Sequence, residues 1–308
     1  MGIKGKISRL YHLNKHMSSK NPKITVITPT YNRSKFIKET IESVLAQDYQ
    51  DFEYLILDDG STDETKDVIE PFLKDKRVKY LYHQNQGEAE TVNWGWQLAK
   101  GEYFTQVNSD DLIAPQLFSD MLKVLEKDKN YVVAYTDFDF IDGKGKRVKK
   151  ELAKDWNFLE ALRTFECYAA APGTFIRKSA FKNWQKIRDK RFNYISDIVM
   201  YWNMALIEDF IHIPKILASW RQHPEGISST RYKALKEVMV WFREFFGKKN
   251  LEPQIVTLKH QALISISVYA RGLFKKSDLF FKNFFIFYYK LVELYARSIL
   301  KLKKLWKN

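Results

Sequence analysis

The stretch Ile24-Thr25-Val26-Ile27-Thr28-Pro29-Thr30-Tyr31-Asn32-Arg33 decides the fold. Residues 24–28 form a short apolar run of β type, and Pro29 opens a turn that lacks one backbone donor. Working outward, Ile37, Ile41, Val44 and Leu45 recur at helical spacing on one face. A second strand is expected at 54–57, ending in Asp58-Asp59-Gly60. Ser61 with Glu64 three residues on is the capping-box pattern of a helix start. Residues 78–82 read as a third strand, 88–99 as a helix and 103–107 as a fourth strand. Pro115 suits the first turn of the next helix, whose Phe118, Met121, Leu122 and Leu125 share a face. This alternation predicts an α/β protein with a doubly wound, largely parallel sheet flanked by helices. Ligands of such sheets bind beyond the carboxyl ends of the strands. Both Asp58-Asp59 and Asp110-Asp111 fall there.

From 131 to 221 the pattern is mixed: a long strand over 131–141 turned by Gly143-Lys144-Gly145, a strand at 173–177, a helix at 196–206 and a strand at 216–221. After Pro224 the chain reads as helical, around 232–246, 253–274 and 279–306. The organisation is therefore a basic segment (1–21), an α/β domain (22–225) and a C-terminal helical extension (226–308). A single cysteine, Cys167, excludes an internal disulfide framework and a multi-cysteine zinc site, and it suits a reducing compartment. The net charge of +14 favours anionic partners. Lys4, Lys6, Arg9, Lys15 and Lys20 open the chain and Lys301, Lys303, Lys304 and Lys307 close it, whereas 30–130 is acid-rich. Neither an apolar signal core nor a stretch long enough to span a membrane is present in the sequence. Nucleic acid is not expected as a partner, because the basic runs lie at the ends without an interleaved aromatic motif. P-loop and Rossmann readings fail for want of their glycines. A nucleotidyltransferase would carry a glycine-rich phosphate loop after the first strand, where 29–33 has no glycine.

Four constellations carry candidate chemistry. Tyr31 can stack on a nucleobase, and a carboxylate of Asp58-Asp59 can accept from a base N–H or a ribose hydroxyl. The plainer reading of these acids is a helix N-terminus. Asn108-Ser109-Asp110-Asp111 follows an apolar strand, and adjacent carboxylates there suit Mg2+ or Mn2+ shared with phosphates. Helix capping ahead of Pro115 is the alternative. Asp197 opens a helix, as a dipole partner or as a general base within reach of an acceptor hydroxyl. Arg221 and His223 can meet phosphate, or His223 can ligate a cation; a structural histidine is the alternative.

Residues 24–33, then Leu57-Asp58-Asp59-Gly60-Ser61-Thr62-Asp63, then Asn93 and Gly95, then Gly101-Glu102-Tyr103-Phe104 and Asn108-Ser109-Asp110-Asp111 resemble the family 2 glycosyltransferases in order and register. The resemblance covers roughly 22–225 and implies a GT-A fold and inverting transfer from a nucleotide sugar. It places Pro29, Thr30, Tyr31, Arg33, Asp59, Asn93 and Asp110 at the nucleotide, and Asp110, Asp111 and His223 at a Mn2+ or Mg2+ ion. Arg221 and His223 are implied at the diphosphate, and Asp197 as catalytic base. Asn108 stands where Asp is commoner in the family, and Ser196 replaces the usual acid before Asp197. The Gln-x-x-Arg-Trp motif of processive synthases is absent, so transfer of one sugar at a time is expected, from a UDP-linked donor to a glycan or lipid-linked acceptor. In the last helix Lys282, Lys290, Glu293, Arg297, Lys301 and Lys304 mark a polar stripe on an aromatic, apolar body. Such a helix suits a membrane interface, here the cytoplasmic face of the cell membrane, with packing on the catalytic domain or a homo-oligomer interface as alternatives.

Overall fold

A computed structural model describes residues 21–169, 171–225, 231–248 and 250–273. Among them, nine strands form one sheet: β1 Ile24–Thr30, β2 Phe52–Asp58, β3 Val78–Tyr82, β4 Tyr103–Gln106, β5 Leu112–Ile113, β6 Tyr131–Asp142, β7 Arg147–Glu151, β8 Thr174–Arg177 and β9 Asp209–Gln222. The order is β3-β2-β1-β4-β8-β6-β9-β5, with β7 hairpinned onto β6. β1 to β4 pair in parallel, β8 runs antiparallel between β4 and β6, and β6 and β9 are parallel. The helices are α1 Ile37–Leu45, α2 Thr65–Ile69, α3 Glu88–Leu98, α4 Leu117–Lys127, α5 Phe158–Thr164, α6 Ser196–Ala205, α7 Arg231–Phe246 and α8 Pro253–Leu273.

Strand periodicity explains the layers. Tyr54 and Ile56 of β2 join a core with α1 and α4, while Leu55 and Leu57 join the opposite core with α3. Both faces of the sheet are thus covered, which is why its parallel strands read as continuous apolar runs. Each such side chain contributes about 1.5–3 kcal/mol on burial. Gly95 allows the approach of α3: a Cβ there would lie 2.6 Å from Leu57 Cδ1. A third core gathers α5, α6, α7 and α8 around Trp202 and Trp241.

The sequence expectations need four adjustments. Ser61 does not cap α2; its N–H donates to Asp58 Oδ1 (2.7 Å) and its hydroxyl accepts from Asn32 N (3.0 Å), while Asp63 Oδ1 accepts from Thr65 N (3.1 Å) at the helix entry. Pro115 lies ahead of α4 rather than in its first turn, and its carbonyl accepts from Asp48 N (2.9 Å). The strand expected at 216–221 begins at Asp209, because a register shift between Ile213 and Ile216 accommodates Pro214. The short α5 was not foreseen. The helix expected at 279–306 and most of the basic segment 1–21 lie outside the described residues. No helix among the described residues is long and apolar enough to cross a membrane.

Candidate active site

The turn after β1 is stitched to the loop after β2. Asn32 adopts a left-handed conformation (φ 52°), which its side chain supports by accepting from Thr62 N (2.8 Å). Arg33 N donates to Thr65 Oγ1 (2.8 Å), and Asp59 N donates to the Thr30 carbonyl (2.9 Å). These bonds present Tyr31 at the rim, 44% exposed, an aromatic face available for stacking. Thr30 Oγ1 is buried without a partner beneath it. The Asp59 carboxylate reaches the loop before α3, accepting from Gln86 N (2.7 Å) and Gly87 N (3.0 Å). Asp58 is turned inward, accepting from Ser61 N and from Tyr80 Oη (2.7 Å each).

The second acidic pair is placed by strand pairing. β5 follows Asp110-Asp111 directly and pairs antiparallel with β9, Leu112 opposite Ser219 and Ile113 opposite Ala218. Continuing that register sets Asp111 opposite Trp220 and Asp110 opposite Arg221. Asp111 is fully buried: Oδ1 accepts from Arg221 N and Oδ2 from Asn108 Nδ2, both at 2.8 Å. Burial, then the neighbouring Asp110 charge, pushes its carboxyl well above the ordinary range. Asp111 therefore braces the strand end, both carboxylate oxygens being engaged by protein donors. Arg221 departs from expectation as well. Its side chain is buried, with Nε on the Asp110 carbonyl (2.7 Å), Nη2 on Glu39 Oε2 (2.6 Å) and the guanidinium over Phe36. The cation near the acids with an open side is Arg33, its Nε 3.5 Å from Asp110 Oδ2.

Asp110 and His223 do converge, Oδ2 and Nε2 lying 2.9 Å apart, with the imidazole packed on Phe36 at 4.4 Å. Adjacent ligands of an octahedral ion held at about 2.1 Å lie about 3 Å apart, so this pair fits one edge of a Mg2+- or Mn2+-type shell. Among the described residues no group of three or more His, Cys, Asp or Glu could by itself hold a metal.

Asp197 lies in the first turn of α6 and accepts from Ile198 N (2.9 Å). Glu88, at the start of α3, feels both Asp197 and Asp110; burial raises its carboxyl, Arg188 opposes the rise and Asp197 adds to it. Asn93 is turned inward. Its buried amide accepts from Ile187 N (2.9 Å) and Arg188 N (2.8 Å) and donates to the Arg188 carbonyl (2.9 Å), so it holds the loop at 187–188. Arg188, Glu88 and Gln106 were missed in the sequence, since Arg188 sits in the charged run Lys186-Ile187-Arg188-Asp189-Lys190-Arg191, which reads as a solvated surface.

The model of the family described as Glycosyl transferase family 2 matches residues 25–210. Glycosyltransferase GlyG of Streptococcus pneumoniae is 29% identical over 252 residues, covering 73% of this chain and 79% of that protein. Two Rickettsia proteins, each described as an uncharacterized glycosyltransferase, match over 127 residues, and the matched segment spans only 21% of their length. Among solved structures, S. aureus TarS 1–349 in complex with UDP-GlcNAc superposes with a TM-score of 0.65 at 20% identity, covering 82% of this chain and 74% of that one. The mannosyltransferase PcManGT from Pyrobaculum calidifontis, in complex with GDP-Man and Mn2+, gives 0.60 at 17% identity, covering 94% and 89%. The mixed sheet is accordingly of the GT-A type. The chain belongs to glycosyl transferase family 2.

Proposed function

We propose that this enzyme is an inverting, cation-dependent transferase that moves a single hexosyl or N-acetylhexosaminyl group from a UDP-linked donor to a hydroxyl of a glycan or lipid-linked acceptor, for assembly of cell-surface polysaccharide or glycolipid. The observation that carries the reading is the convergence of Asp110, His223 and Arg33 beyond the strand ends. Tyr31 stacks on the base, with Pro29 and Thr30 as the adjoining wall. Asp59 retains lone pairs beyond its two backbone bonds and accepts from the base or ribose. Asp110 and His223 hold Mn2+ or Mg2+, which offsets charge on the diphosphate. Arg33 adds a fixed cation at the same phosphates. Asp197 takes the proton of the acceptor hydroxyl as its oxygen bonds to C1. The bond from C1 to the diphosphate oxygen breaks on the opposite face, and the configuration inverts. The UDP-GlcNAc complex of TarS supports uridine, and the GDP-Man complex of PcManGT makes guanosine the alternative the test decides. The amphipathic C-terminal sequence supports work at the cytoplasmic face of a membrane.

The test is donor hydrolysis and thermal stabilisation across UDP- and GDP-sugars, with and without Mn2+ or Mg2+, for the parent chain and Asp197→Asn. A cation-dependent response to one donor, with turnover lost and donor binding kept in Asp197→Asn, supports the reading. Full turnover by Asp197→Asn removes the base assignment. A response to GDP-sugars alone replaces the uridine assignment.

A further inference from the structure

We propose that Arg188 is a positioning residue for transfer, locking the helix start that carries Asp197 to the strand end that carries Asp110 and Asp111. The proposal rests on the reading of Asp197 as the base. Four side-chain hydrogen bonds run without a break between the two motifs. Asn108 Nδ2 donates to Asp111 Oδ2 (2.8 Å), and Gln106 Nε2 donates to Asn108 Oδ1 (2.7 Å). Arg188 Nη2 donates to Gln106 Oε1 (2.8 Å), and Arg188 Nη1 to Ser196 Oγ (3.0 Å), the residue next to Asp197. Arg188 is the branch point of this chain, and it is only 4% exposed.

Arginine suits the place for a physical reason. Its planar fork addresses Gln106 and Ser196 at once, which a lysine ammonium on a flexible stem does not. Its charge is partly met by Glu88 Oε1 at 3.6 Å, at the start of α3. A buried cation so lightly paired is costly for a purely structural element, and an apolar residue would fill the space more cheaply. The loop bearing Arg188 is itself gripped on both backbone sides by Asn93. Three segments therefore meet at one guanidinium: the end of β4, the start of α3 and the start of α6. The separation between Asp197 and Asp110, next to the braced Asp111, is set by that junction. A displacement of about 1 Å in such a separation slows a transfer by on the order of 100-fold.

The experiment uses the full chain and the nucleotide sugar selected by the donor panel, with Arg188→Met, Arg188→Lys and Ser196→Ala made alone and in Asp197→Asn. For Arg188→Met, kcat should fall by on the order of 10- to 100-fold while donor KM and UDP affinity stay within about twofold. Ser196→Ala removes only a hydroxyl and should lower kcat by about 3- to 10-fold, and Arg188→Lys should fall between the two. In the Asp197→Asn background each should cost less than about twofold more, because residues acting as a unit are not additive. Effects that multiply fully in that background, or a loss of UDP affinity parallel to kcat, overturn the proposal and leave Arg188 a structural residue. Should Arg188→Met fail to fold, Ser196→Ala alone decides by the same criteria. Undiminished turnover in Asp197→Asn by itself sinks the base reading, a result distinct from additivity of Arg188→Met on a slow Asp197→Asn enzyme.

Discussion

The two acidic pairs, Asp58-Asp59 after β2 and Asp110-Asp111 before β5, look equivalent in sequence and have opposite internal arrangements. In the first, the leading acid turns inward to Ser61 and Tyr80, and the trailing acid reaches the loop before α3. In the second, the trailing acid is buried against Arg221 N and Asn108, and the leading acid faces His223 and Arg33. The difference follows from what comes next along the chain. Gly60, in a left-handed conformation (φ 84°), lets the chain fold back over Asp58, whereas β5 carries Asp111 into the sheet beside β9. One carboxylate of each pair is architecture, and which one it is follows from the turn or strand that comes next in the chain.

The comparison breaks most readily at Asp110. Asp110→Ala should lower transfer by on the order of 1000-fold through loss of cation and diphosphate contacts, with Tm close to the parent value. Equal losses of activity and stability would place Asp110 with the braces. Asp111→Ala should do the reverse, removing about 2–4 kcal/mol of stability by stranding Arg221 N and the Asn108 amide, as read by denaturant unfolding. Asp59→Ala should cost about 1–2 kcal/mol and weaken UDP binding by roughly tenfold in calorimetry. The smallest effect is expected at Asp63. Burial pushes this carboxyl up, but bonds from Thr65 and Ser34 outweigh burial and leave it below the ordinary range. A lowered folded value contributes stability above the unfolded carboxylate pKa, and loses it as pH falls through the folded one. The Tm gap between the parent and Asp63→Asn should therefore be at most a few degrees near neutrality and close in acid.

Legibility followed local pattern. β1, β2 and β4 were readable because each is a β-type run buried on both faces, and β1 continues through Pro29 to Thr30, two residues past the expected end. β9 was read only in its second half, since His212, Pro214 and Lys215 interrupt the apolar pattern and the bulge against Thr136 and Asp137 has no sequence signature. The site was legible to the extent that residues sit in ordered motifs: Tyr31, Asp59, Asp110 and His223 stand at the strand ends as expected. Side-chain direction was not. Arg221 and Asn93 carry the right chemistry for ligands, but Glu39, Asp142 and the 187–188 backbone take up their hydrogen bonds. Arg188 was invisible because its partners, Gln106 and Ser196, lie 82 and 8 residues away in the chain.

Helix α6 is shared between two cores. Met200, Tyr201 and Met204 face the sheet, while Val199 and Trp202 face α7 and α8, Trp202 lying 4.4 Å from the Trp241 ring. Ser265 on α8 ties the same wall to α5 through the Arg163 carbonyl (2.7 Å). For recombination between relatives, this makes 225 a poor crossover point. A chimaera joined there inherits the helix bearing Asp197 from one parent and the surface behind it from the other. The helical extension can be exchanged between such chains with this packing kept only if Val199, Trp202, Val238 and Trp241 travel as one inherited block.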